Sequence, residues 1–375
     1  MKLLDKTADT YPPDILKNTV IIGCQHLLPT IIPLIQKIMD KGVKEISLIG
    51  KCYSVDKETI NTLREIENVR VEDPVGYNSH SEYRDVFEKY IQKFLAQELE
   101  IYESTDCSEL NLIIIDEGAL ILDEMNSIYD AHYPKWKLIA GVEQSMSGYN
   151  IITAQPMNFP IVDVATSKWK RTHEASFIAR DCVNILLNRL KYKHKEDIYK
   201  LNYLIVGVGA MGSNMLKLLE HFIGENMVQG YDIDTDKNYT AIPDLDKVDV
   251  LIGATGNHRN GENSENIART ILDEIDEGDK RNLYLASVST FDIEFGPLTH
   301  EIRKSEKENS ECTKDYTHQN AVLLKSGFPI NFPEGSSDND IQLTRSLVFC
   351  GIIQSLEEDI HGMNDLFATQ LLSGT

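Results

Sequence analysis

Nowhere in this 375-residue chain does an apolar run reach the length of about 18 to 20 residues that a bilayer span needs. The first residues, MKLLDKTADTYPPDIL, also lack the apolar core of a secretory leader, so the expected location is the cytoplasm. Basic residues are scarce. The 37 Lys and Arg against 59 Asp and Glu give a net charge of −22, which argues against nucleic acid or an anionic membrane as the main partner. The six cysteines (Cys24, Cys52, Cys107, Cys182, Cys312, Cys350) are scattered, with no CxxC pair and no histidine at metal-ligand spacing. They read as reduced structural thiols, and no metal is expected. There is no internal repeat, and the length suits two domains of ordinary size.

What the chain does contain is centred on Leu201 to Asp234, LNYLIVGVGAMGSNMLKLLEHFIGENMVQGYDID. A β-branched run from Tyr203 to Val206 meets Gly207, Gly209 and Gly212 at G-x-G-x-x-G spacing, and a helical pattern follows before a second strand ends at Asp232. The first glycine allows a tight turn, the second lets a pyrophosphate approach the backbone, and the third lets helix and strand pack closely. The helix start, through Ala210 and Met211, offers N–H groups and a partial positive charge. Asp232 stands where an acid accepts hydrogen bonds from the adenosine ribose, and its charge would repel a 2′-phosphate. The expected cofactor is therefore NAD.

The rest of the chain alternates strand and helix patterns. Thr19 to Gly23, Pro29 to Met39 and Glu45 to Ile49 read as strand, helix, strand, the signature of a parallel α/β unit. Ser81 to Leu99 predicts an amphipathic helix, and Leu110 to Ile115 a strand ending at Asp116 and Glu117, where parallel sheets bind ligands. Tyr133 to Pro160 is mixed and turn-prone. Ile161 to Val164 predicts a strand, and a long helix from Ser167 to Leu190 leads into the glycine motif as a candidate hinge between two domains. The basic cluster Arg189 to Lys195 reads as a solvated helix end. Val248 to Ile252 and Asn282 to Val288 add strands, the first followed by Thr255, Gly256 and Asn257, where a nicotinamide ribose could lie. Glu301 to Tyr316 suggests an exposed loop, Leu323 to Phe332 a hairpin around Gly327, and Ile341 to Leu356 a final helix with one apolar face.

In chain order, IIGCQHLLPT, IIIDEGA, EQSMSG, PIVDVATSKWKRTHEASFIAR, GVGAMG, ATGN, STFDIEF and SGFPINF resemble successive segments of the S-adenosylhomocysteine hydrolase family. The resemblance covers most of the chain. It implies an α/β fold of two Rossmann-like domains with doubly wound parallel sheets, the NAD-binding domain (176–339) inserted in a substrate domain (1–175) that the C-terminal helix (340–375) completes. It also implies a homo-oligomer, dimer or tetramer, acting on a small nucleoside-type substrate. In that family tightly bound NAD oxidises the nucleoside 3′-hydroxyl, the 4′-proton becomes acidic, and elimination and hydration follow at C5′.

The same resemblance assigns residues. The catalytic lysine and aspartate fall on Lys170 and Glu174, which are i and i+4 on one helix face. His26 falls on the histidine that acts at the leaving group, Glu117 on a second aspartate, and Gln144, beside Glu143, on the glutamate that grips the ribose hydroxyls. Ser145 and Ser147 replace threonines near the nicotinamide, and Asn331 matches an asparagine at the carboxamide end. Several positions depart from the pattern. A histidine becomes Thr290, an asparagine becomes Ala175, and a threonine near adenine becomes Leu28. Ser336 to Asp340 replaces a substrate-closing loop, so an acid stands where the family has a histidine, with Asp338 the expected substrate contact, and the chain ends at LFATQLLSGT without the family's lysine- and tyrosine-bearing tail. Cofactor chemistry looks retained and substrate recognition rebuilt, which leaves open the same oxidation on another nucleoside or sugar, or a non-catalytic NAD-binding regulator.

Overall fold

The computed structural model describes residues 1–73, 83–132, 135–232, 234, 236, 239, 244–255, 282–289, 295, 312–334, 337–357 and 362–365. The chain divides into two compact units: Met1–Gly76, Asp85–Glu174 and Ser337–Thr375 form the first, and Tyr77–Arg84 and Ala175–Ser336 the second.

The first unit runs α1 (Lys2–Asp9), β1 (Thr19–Leu27), α2 (Ile32–Met39), β2 (Glu45–Val55), α3 (Lys57–Arg64), β3 (Val69–Val71), α4 (Tyr83–Glu100, its first two residues in the second unit), β4 (Asn111–Asp116), α5 (Leu120–His132), β5 (Leu138–Glu143), α6 (Met146–Thr153) and β6 (Ile161–Asp163). Its strands are buried on both faces, as β1 shows from Thr19 to Leu27, so they read as continuous apolar runs rather than alternating ones. The sheet order is β3-β2-β1-β4-β5-β6, with one further strand beyond β6, and every pairing is parallel. Strands leave β1 in one direction as β2 and β3 and in the other as β4 to β6, so the topological switch point lies between β1 and β4.

The second unit begins with α7 (Ala175–Asn188), then β7 (Tyr203–Val206), α8 (Ala210–Ile223), β8 (Val228–Tyr231), β9 (Val250–Gly253), β10 (Leu283–Ser287), β11 (Tyr316–His318) and β12 (Ala321–Leu323). Its order is β8-β7-β9-β10-β12-β11, parallel except for β11 against β12. Ala179, Cys182, Val183 and Leu186 of α7 and Met215, Leu216 and Leu219 of α8 share one core with Tyr203, Ile205, Val250 and Ile252 on the sheet. The chain then returns to the first unit as α9 (Asp338–Gln354) and the edge strand β13 (Met363–Asp365), which pairs with β6. Both sheets make this a doubly wound α/β protein.

Several expectations are corrected. The mixed stretch before Pro160 holds β5 and α6. The long helix expected from Ser167 is present, unbroken from residue 168 to 193, with π-helical turns at Lys170–Glu174 and Arg189–Lys193 on either side of α7. The hairpin is β11 with β12, upstream of Gly327. α9 has no exposed face from Thr344 to Gln354, because it is buried on all sides rather than one. The basic cluster does sit at a helix end, with Lys191, Lys193 and Lys195 exposed, and there Asp315 receives Arg189, Lys193 and His194. Although burial opposes its ionised form, these donors hold the Asp315 carboxyl well below the usual range. Among the described residues no helix is long and apolar enough to cross a membrane.

Candidate functional site

Carboxyl ends of parallel strands converge on the switch point of the first unit, and the polar residues there form two linked groups. His26 lies near the end of β1 and Glu117 just past β4. His26 Nε2 is 2.6 Å from Glu117 Oε1, and Gln144 Nε2 donates to Glu117 Oε2 at 2.9 Å. The register of β1 on β2 jumps from Gln25 opposite Gly50 to Leu27 opposite Val55. The bulge throws Lys51 to Ser54 around His26, with Ser54 Oγ 2.5 Å from His26 Nδ1. Lys51 is wholly buried.

The second group follows β6. In the π turn, Lys170 Nζ is 3.1 Å from Glu174 Oε2, and Thr344 of α9 donates its hydroxyl to the same oxygen at 2.5 Å. The Glu174 side chain is only 6% exposed, so this is no surface helix pair. Arg345, beside Thr344, donates to Gln25 Oε1 at 3.2 Å.

Burial disfavours the Glu117 carboxylate, but His26, Lys51 and Lys170 outweigh it and hold the acid well below its usual range. His26 is lowered from 6.5, first by burial and then by Lys51 and Arg345, with Glu117 opposing. Burial raises both Asp116 and Glu143 above the usual carboxylate range, and the charge of Asp116 raises Glu143 further.

Glu143, expected beside Gln144 among the substrate-binding residues, is an internal tie between loops in this structure. It is fully buried, and its oxygens accept Gly118 N (3.2 Å), Ala119 N (2.9 Å), Ser145 N (2.7 Å) and Ser145 Oγ (2.7 Å). Ser145 in turn caps α6 at Gly148 N, and Ser147 Oγ lies 3.1 Å from Ser145 Oγ. Asp338 is exposed in the first turn of α9, and no described bond joins it to the His26 and Glu117 group. Lys51, Ser54, Thr344 and Arg345 did not stand out in the sequence. A charged residue interrupting a buried apolar run, as Lys51 and Arg345 do, is the signal that could have found them.

In the second unit the glycine loop has the shape its spacing predicts. Gly207 has φ +94°, and a Cβ on Gly212 would stand 1.9 Å from Gly207 O. Gly209 has no atom within 4 Å of where its Cβ would be, which leaves room for a ligand at the uncapped start of α8, at Ala210 and Met211. Val208 N donates to Asp232 Oδ2 at 2.6 Å and Asp234 N to Oδ1 at 3.0 Å, which links the turn to the acid after β8. Thr255 follows β9 and is half-buried, and Asn331 is buried in the same unit. Gly256, Asn257, Thr290 and Ser336 lie outside the described residues. These residues fit a dinucleotide.

No protein-family model matches the chain. Uncharacterized proteins from two Mycobacterium tuberculosis strains are each 25% identical to it over 352 residues, a match that covers 90% of this chain and 64% of theirs, so the chain spans just under two thirds of their length. Among solved structures, a D-isomer specific 2-hydroxyacid dehydrogenase from Lactobacillus delbrueckii ssp. bulgaricus in its NAD-complexed form is 12% identical with TM-score 0.36, covering 90% of this chain and 96% of that one. A dipicolinate synthase chain from Bacillus halodurans is 12% identical with TM-score 0.42, covering 91% and 98%. Similarity of this degree bears on neither substrate nor reaction.

Proposed function

We propose that the chain is an NAD-dependent enzyme of S-adenosylhomocysteine hydrolase type, which oxidises a secondary hydroxyl of a nucleoside-type substrate and uses the ketone to labilise the neighbouring position. The observation that carries the reading is that His26, Glu117 and Gln144 join at the carboxyl ends of β1, β4 and β5, while Lys170 pairs with Glu174 after β6 in the same unit and acts through its charge on Glu117. Gly207, Gly209, Gly212, the first turn of α8 and Asp232 would hold the cofactor, and Thr255 would lie near its nicotinamide ribose. When bound, NAD supplies the hydride acceptor.

The side chains divide the proton work. As the neutral amine Lys170 takes the hydroxyl proton and later returns it, and Glu174, held by Thr344, is the counter-charge of the ammonium formed in between. Glu117 stays ionised beside His26, and the pair serves the proton transfers at the adjacent carbon and the leaving group. Gln144 is tethered through its amide nitrogen and presents its carbonyl oxygen to a hydroxyl.

The test is to purify the protein, release and quantify bound NAD, then add adenosine or S-adenosylhomocysteine and follow reduced-nicotinamide absorbance. Reduction that disappears in Lys170→Ala is the expected result. Protein that retains no NAD, or retained NAD that neither compound reduces, would overturn the assignment.

A further inference from the structure

Arg345 lies a little over two turns into α9 and is 3% exposed. A guanidinium stays charged in a protein and carries five N–H donors. Among the described residues only two of them find acceptors, and both are neutral: Nη1 reaches Gln25 Oε1 at 3.2 Å and Nη2 reaches Thr30 Oγ1 at a long 3.5 Å. Nε meets no acceptor among the described residues. Glu117 and Glu174 act on Arg345 through their charge, and no described salt bridge joins either of them to it. A buried cation held only by neutral oxygens carries a large desolvation penalty that its contacts do not repay.

A second orphan is the amide bound to Glu117. Gln144 is 5% exposed, its nitrogen is used by Glu117, and its Oε1 meets no donor among the described residues. Glu117 thus acts on a buried cation short of acceptors and holds an amide whose carbonyl oxygen lacks a donor among the described residues.

We infer that Arg345 is a specificity-determining residue that binds an oxyanion of the substrate, carboxylate or phosphate, while Gln144 accepts a hydroxyl of the same molecule. This rests on the functional reading above and narrows its substrate to hydroxylated compounds that carry an anionic group. Planar guanidinium geometry suits such an oxyanion, because two parallel N–H groups meet two oxygens.

The experiment needs neither NAD nor turnover, so its outcome is separate from that of the oxidation assay. The melting temperature of the full chain is measured against inorganic phosphate and against acetate, each at ionic strength matched with chloride. A saturable rise with at least one anion over chloride, lost in Arg345→Met and weakened at least ten-fold in apparent affinity in Arg345→Lys, is expected. A response to phosphate alone assigns a phosphate group, and a response to acetate alone a carboxylate. Without anion, Arg345→Met is expected to melt no lower than the parent, since an unpaired buried charge has been removed. If the parent shows no anion effect beyond chloride, the inference falls whatever the variants do. It also falls if Arg345→Met keeps the effect, or melts far lower without anion.

Discussion

With Glu117 ionised against Nε2, the neutral form of His26 must carry its proton on Nε2 and accept the Ser54 hydroxyl at Nδ1. Glu117 is the partner that raises this histidine, so Glu117→Gln is expected to move its titration further below 6.5, leaving burial, Lys51 and Arg345 to act alone. NMR of the ring signals checks this, and an upward shift would contradict it. Because the folded value lies below the unfolded one, folded His26 binds fewer protons, and its contribution to stability is complete above about 6.5 and lost as pH falls below that. At Gly148, an added Cβ would lie 2.2 Å from the Glu143 carboxyl carbon, whose oxygens are tied to backbone on two loops and cannot swing away. Gly148→Ala should cost about 1–3 kcal/mol in urea unfolding. Residues of this kind were only partly legible. Glu117 and Gln144 are marked by their neighbours in sequence, whereas the burial of Glu143 depends on loops that meet only in the folded sheet.

The turn between β7 and α8 makes opposite demands of two glycines. Gly212→Ala must push against a backbone oxygen at 1.9 Å and is expected to destabilise the second unit by at least about 1–3 kcal/mol. Gly209→Ala meets nothing and should leave the melting temperature nearly unchanged while weakening NAD binding, as read by nucleotide titration. Equal effects of the two on stability would argue against a ligand-facing turn. This element was the easiest to read, since strand, glycine spacing and acid are local. β5 was harder: LIAGVE carries an alanine, a glycine and a terminal acid, and its burial comes from its neighbours β4 and β6. The π turn at Lys170 is likewise invisible to a periodicity of 3.6, which runs through it unbroken.

Each unit has its own apolar cluster, one around Ile21, Ile113, Val142 and Leu347 and one around Ile205, Met215 and Ile252. Both tryptophans, Trp136 and Trp169, belong to the first unit. Denaturant unfolding followed by tryptophan fluorescence therefore reports that unit, whereas far-UV circular dichroism reports both. The two curves are expected not to coincide, and added NAD should shift the part seen only by dichroism. Coincident curves moved equally by NAD would refute this. The alternation of strand and helix made the α/β class legible, but nothing in the local pattern says that α9 and β13 return to the first sheet; β13 pairs with β6 across roughly 200 residues of chain.

That return sets an order on biosynthesis. Between Glu174 and Ser337 the ribosome adds roughly 160 residues, about 8 to 30 s of elongation at 5–20 residues per second. Throughout that interval β4, β5 and β6 exist without the helix that covers them, so the first unit, although begun first, can be completed only after the second has been made.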